Sequence, residues 1–172
     1  MSFLNEIMTS VDQLSPAEVL DQLREKLIRE LGKTGTRDGM DISLIRVNKE
    51  TKEFQWAGAL RPLLILRNGA QKMETINGDR QSICFVENQN PFTNAEGSLE
   101  KGDTVYLFSD GYADQFGGER GKKFKMKQLV SLLTSLNNQP MEIQKIELAS
   151  SFEKWKEGFE QIDDVCVLGI KF

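Results

Sequence analysis

Two places in this 172-residue sequence put carboxylates where chemistry could use them. Thr104-Val105-Tyr106-Leu107-Phe108 is a run of strand-forming residues that ends on Ser109-Asp110-Gly111. An aspartate there leaves a rigid strand at its end, and the following glycine allows the backbone to turn tightly beside it. Asp163-Asp164 stands just before a second apolar run, Val165-Cys166-Val167-Leu168-Gly169-Ile170. Adjacent carboxylates repel unless something positive neutralises them, and a divalent cation does so. The two features lie 53 residues apart and become neighbours if their strands pair. Oxygen donors from separate strands suit hard ions such as Mg²⁺ or Mn²⁺. Each feature also has a plain alternative: a strand-ending Asp-Gly turn, and a solvated acidic turn.

Composition narrows the chemistry further. The sequence has no histidine. No Ser-His-Asp or Cys-His nucleophile can therefore be built within this chain, nor a histidine-held zinc or non-haem iron site. The net charge of −4 supplies no overall field to attract nucleic acid. With 39% hydrophobic and 28% charged residues, the chain has the balance of one soluble globular domain, residues 1–172. No apolar run approaches the roughly 18 residues of a membrane span, and the start lacks a signal-peptide pattern. Cys84 and Cys166 make no disulfide framework; both sit in apolar runs and are expected to be buried free thiols. A cytoplasmic protein, or the cytoplasmic part of a larger one, is the expectation.

These residues need elements to position them. Ser15-Pro16-Ala17-Glu18 carries an N-cap serine, a proline at the first helical position and a glutamate three residues after the cap. Val19, Leu20, Leu23, Leu27 and Leu31 follow at helical spacing, predicting a helix over 16–31 that stops at Gly32. Residues 1–12 read as the end of a helix. Residues 42–47 read as a strand, and Phe54 and Trp56 alternate with polar neighbours in a second. Leu63 to Leu66 runs into Asn68-Gly69, a hairpin signal with a partner strand at 71–76. Residues 87–101 read as a loop. Helices are predicted at roughly 125–137 and 141–157, before a closing strand. Strands first, embedded helices and a final strand indicate an α+β sandwich of mainly antiparallel sheets flanked by helices.

The segment Gly102-Asp103-Thr104-Val105-Tyr106-Leu107-Phe108-Ser109-Asp110-Gly111-Tyr112-Ala113-Asp114 resembles a motif of the PPM-type (protein phosphatase 2C-like) serine/threonine phosphatases, in their SpoIIE-like branch. Gln161-Ile162-Asp163-Asp164-Val165-Cys166-Val167-Leu168 is similar to that family's closing strand. Residues 117–124 resemble its variable loop. Asp38-Gly39-Met40-Asp41-Ile42, Trp56-Ala57-Gly58-Ala59-Leu60-Arg61-Pro62-Leu63 and the opening Leu4-Asn5-Glu6-Ile7 follow the same order, so the resemblance covers nearly the whole chain.

The resemblance implies metal-dependent hydrolysis of phosphoserine or phosphothreonine on a partner protein. In that family aspartates hold two Mn²⁺ or Mg²⁺ ions, and a metal-bound water attacks phosphorus. Carried over position by position, it makes Asp110 and Asp163 metal ligands. Asp164 is then the alternative to Asp163, and Asp114 a residue acting through the ligands or through water. It implies a signalling phosphoprotein as substrate, such as an anti-sigma-factor antagonist. A complete family domain also carries an earlier Asp-Gly metal motif, whose aspartate bridges the two ions, and a Gly-His-Gly segment. Neither has a counterpart here, since Asp38-Gly39 reads as a structural lead into a strand. The alternative is a fragment or pseudo-phosphatase that binds a partner without catalysis. Arg61 and the basic run Arg120, Lys122, Lys123, Lys125, Lys127 could meet phosphate or steer an acidic partner, or simply be solvated. Lacking its first strands, the sandwich is expected to expose a sheet edge and self-associate.

Overall fold

The computed structural model describes residues 14–31, 39–84 and 90–172. The expectations for residues 1–12 and for Asp38 lie outside that range. The chain divides into two compact units, one up to Leu63 with Ile76–Leu99, the other Leu64–Thr75 with Glu100–Phe172.

The first unit begins with the expected helix, α1 (Pro16–Leu31). Its start is the reciprocal cap that the sequence encodes. The Glu18 carboxylate accepts from the Ser15 backbone N–H at 2.7 Å and hydroxyl at 2.8 Å, and the Ser15 hydroxyl accepts from the Glu18 N–H at 3.3 Å. The bond from the Ser15 backbone, then that from its hydroxyl, hold the Glu18 carboxyl below its ordinary pKa. Val19, Leu20, Leu23 and Leu27 turn inward from α1. They pack with Ala57, Ala59, Ile83 and Phe92. The sheet beneath is β1 (Ile42–Val47), β2 (Glu53–Ala59) and β5 (Ala95–Ser98), in the order β1-β2-β5 and antiparallel throughout.

β5 corrects the expectation of a loop over 87–101. Its sequence, Ala-Glu-Gly-Ser, has no apolar alternation, so no pattern marks it. Among the described residues it ends its sheet, held by its backbone ladder to β2, with Gly97 leaving room for the Phe54 ring.

The second unit holds β3 (Leu63–Leu66), β4 (Glu74–Ile76), β6 (Thr104–Phe108) and β9 (Val167–Lys171), ordered β4-β3-β6-β9. The hairpin at Asn68-Gly69 forms as expected, with Gly69 at φ +73°. The returning strand is confined to Glu74–Ile76, shorter than the 71–76 read from sequence. After β6 come the short helix α2 (Gly111–Asp114), the two-residue strands β7 (Phe116–Gly117) and β8 (Lys122–Lys123), and helices α3 (Met126–Ser135) and α4 (Met141–Lys156). Leu64, Leu66, Tyr106 and Phe108 on one sheet face pack with Leu129, Leu133 and Phe152 from the helices. Tyr112, Phe124, Phe152 and Trp155 join them as an aromatic chain with ring centroids 5.1–5.3 Å apart.

α4 turns in a different face from its most apolar one. Gln144 and Phe152 are buried, whereas Ile143 and Ile146 are exposed. Burial of Gln144 is matched by bonding: Tyr106 donates to its Oε1 at 2.7 Å, and its Nε2 donates to the Gln139 carbonyl at 3.0 Å. Burial pushes the Tyr106 phenol up to about 12, against the opposing pull of Gln144.

The cysteines differ from the expectation of two buried thiols. Cys84 is half-buried and Cys166 is exposed. Cys166 continues the alternation of β9 on the same side as exposed Leu168 and Ile170, so an apolar run did not mean a buried one.

Asp103 fixes the entrance to β6. Its buried carboxylate accepts from the backbone N–H groups of Glu100 at 3.0 Å and Asn68 at 2.8 Å, and from Arg67 at 2.9 Å. Burial alone would raise its pKa; these three donors together bring it below the ordinary aspartate value. Asp103→Ala leaves the two N–H groups without their acceptor and is expected to cost about 2 kcal/mol in urea unfolding at neutral pH. A carboxylate with a lowered folded pKa stabilises fully above about pH 4 and loses that contribution as pH falls through the folded value. The gap between variant and wild type should therefore narrow in acid; a gap that is constant or widens below pH 4 would count against this role.

Candidate functional site

The strands that carry the two acidic features do pair. β6 and β9 run antiparallel, with Phe108 opposite Val167 and Leu107 opposite Leu168. The pairing continues past the ends of both strands. Ser109 N–H donates to the Cys166 carbonyl at 2.9 Å. The Ser109 hydroxyl donates to the Asp164 carbonyl at 2.8 Å and accepts from the Cys166 N–H at 2.9 Å. One serine side chain thus ties the end of β6 to the segment that holds Asp163 and Asp164. This brings the backbones of Asp110 and Asp164 to the same end of the same strand pair.

Gly111 shows how close that approach is. A Cβ at this position would lie 2.4 Å from the Asp164 carbonyl oxygen and 2.9 Å from its carbon. Only a residue without a side chain lets the Asp163-Asp164 segment pass here. The sequence suggested a glycine for turning; the structure gives a glycine for clearance. Asp110 itself caps α2 with φ −72° and ψ −20°, and its carbonyl accepts from the Asp114 N–H at 2.9 Å.

The remaining candidates are placed as follows. Asp163 is exposed, and its carboxylate accepts from the Asp164 N–H at 2.7 Å. Its carbonyl accepts from Gln161 at 2.9 Å. Asp164 is also exposed, its carbonyl taken by Ser109. Asp114 is paired with Lys123 at 2.9 Å, an ion pair with both side chains half exposed. That lysine extends from β8 and also sits 5.9 Å from the Phe116 ring centroid. Gly117 accounts for part of the glycine-rich stretch beside it, since a Cβ there would lie 1.8 Å from the Trp155 carbonyl oxygen. Arg61 belongs to the first unit and pairs with Asp41, whose other oxygen accepts from Ser82 at 2.6 Å. Its guanidinium has a structural partner rather than an open face. Of the basic run, Arg120, Lys122, Lys123, Lys125 and Lys127 are all exposed.

These residues can be tested against the divalent ion that the resemblance implies. Among the described residues, no three or more Asp, Glu, Cys or His side chains gather as a ligand set. Asp110, Asp163 and Asp164 provide acids at one sheet end, and Asp114 is held by Lys123. That is a partial donor set, short of what Mg²⁺ or Mn²⁺ requires. Two further residues position these acids. In the sequence Ser109 is one residue of a motif and Lys123 one charge of a basic run. Neither pairing has a local sequence signal, because each partner is brought in by tertiary structure.

The comparisons with known proteins agree with this layout. The family model described as Stage II sporulation protein E (SpoIIE) matches residues 2–172. No curated protein sequence matches. The SiaA-PP2C domain of Pseudomonas aeruginosa superposes with a TM-score of 0.87 at 24% identity, covering 98% of this chain and 65% of that one. The RsbU and RsbW domains of a Mycobacterium tuberculosis protein give 0.67 at 16% identity, over 95% of this chain and 44% of theirs. The phosphatase domain of the cell fate determinant SpoIIE from Bacillus subtilis, presoaked with Mn, gives 0.62 at 14%, over 99% and 72%. The fold is that of the PP2C phosphatases, with mixed helices and antiparallel sheets, and the chain spans about two thirds of the SiaA domain.

Gly111→Ala tests the close approach. Its Cβ meets backbone rather than a flexible side-chain tip, so the 163–166 segment must move. Overpacking of this kind costs about 1–3 kcal/mol. Thermal unfolding should show the loss, and amide exchange at Cys166 should quicken as its bond to Ser109 loosens. Unchanged exchange at Cys166 would show that the segment is not held by this contact.

Proposed function

Since the chain belongs to the Stage II sporulation protein E (SpoIIE) family, we propose that it acts within a metal-dependent serine/threonine phosphatase domain that hydrolyses phosphoserine or phosphothreonine on a signalling partner protein. The observation that carries this reading is the β6–β9 register. It places Asp110 and the Asp163-Asp164 pair at one end of one sheet, with Ser109 bonded across them. In this proposal Asp110 and Asp163 are metal ligands, with Asp164 as the alternative to Asp163. Asp114 acts through Lys123 and the neighbouring carboxylates rather than as a direct ligand. Mn²⁺ or Mg²⁺, two ions in a complete domain, is the cofactor.

The partner is a phosphoprotein of a bacterial regulatory system in the cytoplasm, of the anti-sigma-factor-antagonist kind. Support comes from the likeness to the RsbU and RsbW domains and to a structure from the bacterial stressosome (TM-score 0.56, 20% identity). None of the described helices is long and apolar enough to cross a membrane.

A second reading starts from the partial donor set among the described residues: a partner-binding module that keeps the fold without turnover. The two separate in one assay, p-nitrophenyl phosphate hydrolysis by the chain with Mn²⁺, without it, and with Asp110→Asn. Manganese-dependent turnover that Asp110→Asn abolishes is the expected result for the phosphatase reading. No turnover, with no metal-dependent rise in melting temperature, would overturn that reading for this chain and leave the binding module.

A further inference from the structure

The basic residues after α2 are held on a fixed backbone. β7 and β8 pair with Phe116 opposite Lys123 and Gly117 opposite Lys122. Their turn is closed by the Gly121 N–H, which donates to the Gly118 carbonyl at 3.1 Å. The hairpin is tied to α4 as well. Gly118 N–H donates to the Trp155 carbonyl at 2.9 Å, and the Trp155 indole N–H donates to the Gln115 carbonyl at 3.0 Å. That carbonyl also accepts from the Phe124 N–H at 2.9 Å. Lys125 follows with φ +73° and ψ +145°, a conformation open to glycine and rarely held by a residue with a side chain. Strain of this kind persists only where the surroundings over-determine it. Here the Lys125 N–H donates to the Ala113 carbonyl at 2.7 Å, and its carbonyl accepts from Gln128 at 3.0 Å and Leu129 at 3.2 Å.

This backbone shapes an open cleft of about 310 Å³, at the small end of the range for binding sites. Arg120, Lys122, Lys123 and Lys125 line it together with Trp155, and Glu119 is its one acid. All four cations are exposed. Among the described residues, Lys123 alone of the four has a carboxylate partner, Asp114. Residues 117–128 carry five cations against Glu119 in a chain of net charge −4, so this face runs against the sign of the whole. We propose that the cleft binds an acidic segment of a partner protein, its Asp or Glu carboxylates meeting Arg120, Lys122 and Lys125 and its side-chain stems packing on Trp155. A preformed backbone lowers the ordering cost of such binding. The size of the cleft suits a few side chains of an extended segment. A nucleic acid fits less well, because its closely spaced phosphates would run on toward Asp110, Asp163 and Asp164. The Lys123–Asp114 pair marks the border with those acids, since the Asp114 N–H is bonded to the Asp110 carbonyl. A segment held in the cleft therefore brings the neighbouring part of the partner toward the acidic sheet end. The inference rests on the phosphatase reading only in taking the partner to be a protein; the binding itself needs neither metal nor turnover.

Fluorescence anisotropy with a fluorescein-labelled hexaglutamate peptide, in metal-free low-salt buffer, tests this. The 172-residue chain should bind the peptide, and the binding should fade as salt rises. Arg120→Glu combined with Lys122→Glu should weaken it about tenfold, the size of two exposed ion pairs made repulsive. Lys49→Glu combined with Lys101→Glu changes net charge equally at exposed sites outside the cleft, and should bind like wild type. Lys125→Gly is a second arm that does not endanger the fold, because the backbone there suits glycine. It should melt no lower than wild type and bind about threefold more weakly. Trp155 emission should change as the peptide binds, while Trp56, buried in the first unit, gives a constant background. Absence of binding, equal weakening by the two double variants, or unchanged Trp155 emission would each overturn the proposal. So would an oligothymidylate of equal charge that binds as tightly as the peptide. Peptide binding without p-nitrophenyl phosphate turnover would overturn the phosphatase reading alone, and turnover without peptide binding would overturn this inference alone.

Discussion

The pairing of β6 with β9 is the constraint on which the second unit depends. β6 is its central strand, bonded to β3 on one side and β9 on the other. Its entrance is fixed by a buried Asp103 carboxylate and its exit by the Ser109 hydroxyl. Both anchors are short polar side chains that bond backbone groups. Such bonds have little freedom of register, because a slip by one residue would leave buried N–H groups unpaired and turn every side chain to the wrong face. The ends of the strand are therefore set as firmly as its apolar middle.

That firmness matters because the candidate chemistry sits at the exit. Carboxylates useful to a phosphate-handling site must converge despite their repulsion, so the backbone has to hold them there. The Asp163-Asp164 segment is held by Ser109 and accommodated by the bare backbone of Gly111. The described residues thus give a scaffold for acids at one sheet end and hold part of a ligand set.

The strand that completes one side of the site also carries part-exposed apolar residues. Among the described residues β9 pairs with β6 alone, and Leu168 and Ile170 are part-exposed while Val167 packs on the core. α4, packed beside it, also exposes Ile143 and Ile146 while burying Gln144. Apolar content thus predicted burial poorly in this part of the chain. Burial here follows from position relative to the aromatic chain of Tyr112, Phe124, Phe152 and Trp155, and a glutamine with both polar atoms bonded fits that position.

The sequence by itself determined the features that short-range physics controls. The capping box at Ser15 and Glu18, the stripe from Val19 to Leu27, the hairpin at Asn68-Gly69 and the strand from Thr104 to Phe108 are all written within a few residues of themselves. It also placed Asp110 at the end of one strand and Asp163-Asp164 at the entrance to another, and the order of its motifs indicated the fold. Tertiary structure decided the rest. β5 exists because β2 offers it a ladder, not because Ala-Glu-Gly-Ser favours a strand. Cys166 is exposed because it shares the face of Leu168 and Ile170, which the described residues leave part-exposed. Arg61 is engaged because Asp41 lies beside it, and Asp114 because β8 brings Lys123 to it. Gly111 is needed for clearance from a carbonyl 53 residues further along the chain. In each case the deciding partner is distant in sequence, and local pattern carries no information about a distant neighbour.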